Sequence, residues 1–267
     1  MLKRKPGSVV SVFCKKGGVG KSTFISYLAH YHASRGKNVL LISADDQNSI
    51  FKIFGATDKV SERDDDYLDH YLAGQAELGD LLLEVRENLY LIKTLNTNTL
   101  SLKLTLERNQ EKKIKEMLDS YKNDFFDYIF IDFPPLGNRL TEVLLDLSDS
   151  IMIIVGLDAL GIDGFFNTIQ YLYESEINLD NIKYILPNCY SKNKRAPKVH
   201  LDLLQSQGSD FTPNAKILPP LAEKSIIKNL QAEGISVFDE IVLNRYDQAQ
   251  RDALKKDFLS LYSKIDV

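Results

Sequence analysis

Residues 13–24 read FCKKGGVGKSTF, three glycines and three lysines set between an apolar run, SVVSVFC, and a stretch with helical periodicity. Such a segment can hold an anion: glycine frees backbone N–H groups to curl around phosphate, a lysine reaches the β- and γ-phosphates, and a hydroxyl contacts Mg²⁺. By spacing, Lys21 is that lysine and Ser22 that hydroxyl. A helix beginning there adds the partial positive charge of its N-terminus. The cradle comprises Gly17, Gly18, Val19, Gly20, Lys21, Ser22 and Thr23. The strict spacing G-x-x-x-x-G-K-[ST] is not met, because Lys15 stands where the first glycine belongs. The competing reading, a glycine-rich turn with a solvated lysine pair, would explain neither the strand before it nor the helix after it.

A site that cleaves a phosphoanhydride also needs a carboxylate for Mg²⁺ and a group that positions water. Asp132 ends the apolar run YIFID and is followed by Phe133, Pro134 and Pro135. The C-terminal end of a buried strand is where ligands bind in open parallel sheets. Asp45 sits in the same relation to the run NVLLIS, within Ser43-Ala44-Asp45-Asp46-Gln47. A carboxylate there can orient an attacking water.

The elements that must position these groups follow from periodicity. Short apolar runs alternate with amphipathic segments, which predicts an α/β fold: one domain over 1–267 with a mostly parallel, twisted sheet flanked by helices on both faces. Strands are expected at about 8–14, 38–43, 88–94, 128–132, 149–157, 182–188 and 215–219. Helices are expected at about 21–35, 65–74 (with Asp64, Asp65 and Asp66 near its start), 103–121, 139–147, 161–174, 191–206, 221–232 and 245–265, and a short one in LGDLLLEV after Gly79. A chain of 267 residues with 44% hydrophobic composition can bury a full core. Pro and Gly are sparse and no linker composition interrupts the pattern. The net charge of −4 excludes a protein basic over its whole surface, though not one with a local basic patch. Cys14 and Cys189 form no paired motif and are expected to be buried strand-end thiols in a reducing cytoplasm. No run of 18 apolar residues exists, and the basic N-terminus lacks an apolar signal region.

The run Lys16-Gly17-Gly18-Val19-Gly20-Lys21-Ser22-Thr23 resembles the deviant phosphate-binding motif of the ParA/MinD family of P-loop ATPases, whose hallmark is a lysine directly before the glycine pair. The Asp132-Phe133-Pro134-Pro135 segment is similar to the family's second motif, and Asp45 and Gln47 match its Asp-x-Asp-Pro-Gln. The resemblance implies ATP and Mg²⁺ as cofactors. Ser22 and Asp132 would hold the metal, Asp132 through water, and Asp45 would position the nucleophile. It implies that Lys16 reaches a partner's phosphates in an ATP-dependent homodimer. Asn188 and Pro219 match positions that line the adenine, Asn188 also reading as an ordinary strand-end turn residue. Ser43 and Asp46 depart from the pattern, so one outer-sphere carboxylate is missing, unless Asp46 replaces it, and hydrolysis is expected to be slow and partner-stimulated.

The resemblance further implies a partition or positioning ATPase, working on non-specific DNA with a centromere-binding or cargo-adaptor protein, cytoplasmic and nucleoid-associated. Lys192, Lys194, Arg195 and Lys198, with Arg245, Arg251, Lys255 and Lys256 of the last helix, are the candidate DNA contacts. An ordinary solvated face is the alternative. A MinD-like protein would instead lie on a membrane through its last helix, whose Leu254, Phe258, Leu261, Tyr262 and Ile265 share one face. Packing of that stripe on the domain is the competing expectation. The paired cysteines of metal-cluster scaffolds in the same superfamily, and the tyrosine-rich tail of its kinases, are lacking.

Overall fold

A computed structural model describes residues 5–58, 67–191 and 193–266. Eight strands form one sheet in the order β3-β4-β2-β5-β1-β6-β7-β8. These are β1 (Ser8–Phe13), β2 (Val39–Ser43), β3 (Leu83–Arg86), β4 (Leu89–Ile92), β5 (Tyr128–Asp132), β6 (Ser150–Gly156), β7 (Ile182–Asn188) and β8 (Lys216–Ile217). All pairings are parallel except β3 with β4. The central strands are continuous apolar runs because helices cover both faces. All seven residues of β6 are buried.

Successive strand residues point to opposite faces, which splits the core into two layers. Val9, Phe13, Ile129, Ile131, Ile151 and Ile153 face one way. They pack under α4 (Thr97–Leu106), α5 (Arg108–Asp124), α6 (Arg139–Asp146) and α7 (Ala159–Glu174). Val10, Val12, Leu41, Phe130, Met152 and Ile154 face the other way. Over them lie α1 (Lys21–Ala33), α2 (Ser49–Ile53), α9 (Ile226–Ala232) and α10 (Arg245–Tyr262). Two further helices, α3 (Leu68–Leu72) and α8 (Arg195–Phe211), complete the set among the described residues.

The register sets up the site. Val12 of β1 and Ser43 of β2 both stand opposite Asp132 of β5, so three neighbouring strands end at one level. The chain turns from β1 into α1 there, and the sheet's order reverses around β1.

Several expectations need correction. LGDLLLEV is no helix: Leu83 and Val85 alternate onto one face as strand β3, and Glu87-Asn88 turns the chain back into β4, Asn88 taking a positive φ of 61°. Period two overrides the apparent helical run. The expected helix at 103–121 is two helices, broken at Glu107, whose backbone is extended, with Asn96 capping the first. Helix α2 was not anticipated. Helix α3 is shorter than expected, and the acidic start Asp64–Asp66 lies outside the described residues. Helix α9 begins later than expected because residues 221–223 pair alongside Tyr190.

The apolar stripe of α10 is committed to the core. Leu254, Phe258, Leu261, Tyr262 and Ile265 are all buried. Phe258 meets Tyr27 of α1 edge-on at 5.3 Å, and the Tyr262 hydroxyl donates to the Phe24 carbonyl at 3.2 Å. That stripe cannot also lie on a membrane while the helix stays packed. No helix among the described residues is long and apolar enough to cross one.

Candidate functional site

The loop from Lys15 to Gly20 leaves β1 and enters α1. Gly18 and Gly20 adopt positive φ, 74° and 93°, which glycine takes without strain. Open space surrounds Gly18 where a Cβ would stand, whereas a Cβ on Gly20 would fall 2.7 Å from Asn188 Nδ2. Gly20 is the N-cap of α1 and supplies no side chain to its first turn, which also carries no acid. The first-turn N–H groups therefore remain for an anion.

Lys21 is buried, and its ammonium donates to the Lys16 carbonyl at 3.0 Å. Burial lowers its pKa from the ordinary lysine value, with Cys14, Asp132 and Asp45 opposing. Asp132 is 1% exposed, and neither carboxylate oxygen has a hydrogen-bond partner of normal geometry. Burial pushes its pKa up to about 7. The Ser22 hydroxyl and Lys21 face it and pull the other way, nearby Asp45 adds to the rise, and the Phe133 amide again opposes it. A buried carboxylate left without partners is costly unless something else completes it. A divalent cation held by Ser22, Asp132 and phosphate oxygens fits that arrangement. Among the described residues no cluster of three or more His, Cys, Asp or Glu offers an all-protein metal site.

Asp45 is half-buried and accepts the Gln47 N–H at 3.0 Å, close enough to Lys21 and Asp132 to bias both. Ser43 is fully buried and donates to the Asp45 carbonyl at 2.8 Å. Asp46 turns to the Thr97 hydroxyl at 3.0 Å and the Gln47 amide at 3.2 Å, toward the start of α4.

Lys16 is folded back within its own chain. Its ammonium pairs with Asp158 at 2.7 Å, and its stem packs where a Cβ on Gly164 would stand. Asp158 caps α7 through the Gly161 N–H, and the Lys16 hydrogen bond helps hold its carboxyl below the ordinary aspartate range. Lys15 lies on the same helix: its N–H donates to Thr168 Oγ1 at 2.9 Å, and its ammonium sits 4.5 Å above the Tyr171 ring. Asp158, Thr168 and Tyr171 were not foreseen. The one signal that could have found them is an aspartate directly before a helix start, at Asp158.

Beside the loop lies a cleft of about 260 Å³, bounded by Gly18, Gly20, Thr23, Asn188 and Cys189 and floored by Phe258. Asn188 Nδ2 donates to the Val19 carbonyl at 2.8 Å, and the Thr23 hydroxyl accepts from Gln231 at 2.8 Å. Pro219 lies outside this cleft. Leu221 bonds Pro187 and Tyr190 bonds Leu221, so residues 221–224 take the lining position instead. Cys14 is buried as expected, but Cys189 is half-buried on the cleft with φ of 61°, and burial raises its thiol pKa.

The basic candidates separate. Lys194, Arg195 and Lys198 are exposed at the start of α8, as are Arg245 and Lys256 on α10. Lys192 lies outside the described residues. Arg251 is no surface contact: it is 7% exposed, and its guanidinium caps the carbonyls of Asp239 and Ile241. Lys255 is half-buried, 5.7 Å over the Phe238 ring.

Comparison with known proteins agrees with this geometry. The family described as the AAA domain matches residues 7–182. The chain is 28% identical over 240 residues to the uncharacterized protein MJECL24 of Methanocaldococcus jannaschii, covering 86% of this chain and 90% of that one. It is 30% identical over 179 residues to the sporulation initiation inhibitor protein Soj of Bacillus subtilis, covering 65% and 69%. The structure of apo McdA from Cyanothece superposes with a TM-score of 0.78 at 18% identity, covering 96% of this chain and 98% of that one. Sequence motif, strand-end alignment and family match converge: the chain belongs to this AAA domain family, as a P-loop ATPase of the ParA/MinD type.

Proposed function

We propose that this protein binds MgATP, dimerises around it and hydrolyses it in a cycle that positions a DNA-borne or protein cargo. The observation that carries the reading is the buried carboxylate of Asp132, which lacks a hydrogen bond of normal geometry, stands opposite Ser43 in register and faces Ser22 and Lys21. Ser22 and Asp132 would hold Mg²⁺, which when bound would supply positive charge against the negative charge developing on the transferred phosphoryl group. The chain's own residues do the rest. The N–H groups from Gly17 to Thr23 curl around the phosphates, and Lys21 exchanges the Lys16 carbonyl for phosphate oxygens. Asn188, its amide nitrogen already given to Val19, offers Oδ1 to the amino group of adenine. Asp45 orients the water that attacks the γ-phosphorus; the bond to the β–γ bridging oxygen breaks, ADP leaves with that oxygen, and of the water's two protons one stays on the phosphate and one leaves to solvent.

Lys16 completes the site in trans. It must first leave Asp158, so dimerisation and release of that pair are one event. The cations at the start of α8 sit at a helix N-terminus with no acid in its first turn, which favours contact with DNA phosphates. A cargo-bound adaptor protein stimulates hydrolysis, and the resting place is the cytoplasmic nucleoid. ATP binding and turnover as a function of Mg²⁺ test the core of this reading. Asp132→Asn should lose turnover by about a hundredfold or more while staying folded, and Lys16→Ala should stay monomeric with a non-hydrolysable analogue. An Asp132→Asn protein with wild-type turnover and Mg²⁺ dependence would overturn it.

A further inference from the structure

One stripe of α7 is given over to the entrance of the phosphate loop. Gly164, Thr168 and Tyr171 follow at i, i+4 and i+7, and so share a helix face. Gly164 receives the Lys16 stem, Thr168 the Lys15 N–H, and the Tyr171 ring the Lys15 ammonium. The same ring reaches a second reacting segment. A Cβ on Gly137 would fall 2.2 Å from its Cζ, so Tyr171 is seated directly against the loop that follows Asp132. Phe13, the last residue of β1, packs on it at 5.7 Å, and its hydroxyl lies 3.5 Å from Glu142 of α6. One side chain thus touches both the loop that would cradle phosphate and the loop that follows the metal carboxylate.

We infer that Lys15 is a positioning residue for nucleotide binding: its ammonium, held over Tyr171, ties the phosphate loop to α7 and through that ring to the loop after Asp132. The inference rests on the reading of this site as an ATP site. It accounts for a lysine where the usual spacing has glycine. A glycine there leaves the loop entrance free, whereas this chain pins it by one backbone and one side-chain contact. A movement of the 133–138 loop must displace the ring, and with it the cation that holds the phosphate loop.

The test is a double-mutant cycle read by MgATP affinity. An exposed cation–π contact corresponds to about two- to fivefold in binding. Lys15→Met and Tyr171→Leu should each weaken MgATP binding by that factor. The double variant should be no weaker than either single one, and Lys15→Arg and Tyr171→Phe should bind as wild type does. Thermal melting of each variant separates lost positioning from lost folding, and Lys15→Met, altered only at an exposed side chain, is expected to melt as wild type. Unchanged affinity in Lys15→Met, or additive losses in the double variant, would overturn the inference while leaving the ATP site intact. A wild-type protein that binds no MgATP, with Lys21→Ala indistinguishable from it, would instead remove the underlying reading and the inference with it.

Discussion

Ser43 stands at the strand-end position where the ParA/MinD motif has an aspartate. It is fully buried opposite Asp132, and its hydroxyl is spent on the Asp45 carbonyl. Ser43→Asp would set a second acid beside one that burial already pushes up to about 7. Steady-state ATPase assays over a Mg²⁺ titration are expected to show faster turnover and a lower Mg²⁺ requirement, at an apo-protein cost on the order of 1–3 kcal/mol. Asp46→Ala should leave turnover within about twofold and cost about 1 kcal/mol for the lost Thr97 bond. Unchanged turnover and Mg²⁺ dependence in Ser43→Asp would show that the missing acid does not limit this enzyme. Arg251→Ala should lower folding stability by about 1.5–3 kcal/mol in urea unfolding, because it strips two part-buried carbonyls of a charged donor. Lys21, Ser22 and Asp132 were legible in the sequence because their chemistry is local, set by a loop and a strand end. Asp158 was not, because what identifies it is a lysine 142 residues earlier in the chain.

Helix α1 carries the loop at one end and a buried histidine near the other. Burial holds His30 down at about 4; Asp239, 4.0 Å from its Nε2, opposes this, and Arg86 and Lys255 reinforce it. Its Nδ1 bonds the Ser236 hydroxyl at 2.8 Å. In the unfolded chain an imidazole titrates near pH 6.5. Between about 6.5 and 4 the unfolded state therefore binds a proton that the folded state refuses, so stability falls as pH drops through that window and is flat above it. For His30 the loss is on the order of 3 kcal/mol across the window. His32, also held at about 4 by burial and by Arg35 and Lys37, adds to it. Urea midpoints at pH 7.5 and 5 should show a shallower slope for His30→Gln than for wild type; equal slopes would assign the acid sensitivity elsewhere. The largely apolar strands β6 and β7 were read close to their observed bounds, since a run that is mostly buried on both faces has no other use. The β3 hairpin was misread because Leu81 and Leu82 belong to the turn before it and only Leu83 onward alternates. The split between α4 and α5 was missed because Glu107 is a good helix former, yet it stands extended as the N-cap of α5 with its carbonyl accepting the Gln110 N–H.

The molecule closes by tying the first third of the chain to the last. Gly55 and Gly234 pack backbone to backbone: a Cβ on Gly234, whose φ is 67°, would fall 2.3 Å from the Gly55 Cα. Arg86 then forks onto Asp239 at 2.6 and 2.8 Å and caps the carbonyls of Gly234 and Phe54. Gly234→Ala should destabilise by more than about 2 kcal/mol, seen as a lowered melting temperature, because neither backbone can withdraw. Gly234 and Asp239 both lie in the stretch EGISVFDE, whose part in this clasp is invisible without the fold. The parallel sheet itself was legible from alternation alone, and its strand-end alignment followed once the strands were paired. That alignment leaves Cys189 at the rim of the cleft while Cys14 is sealed in the core. The protein thus carries its own occupancy gauge. At about pH 8.5, where more of the thiol ionises, maleimide should label one site per chain, and the labelling half-time should lengthen with the fraction of chains whose cleft holds added nucleotide, which reads average occupancy without any engineered dye.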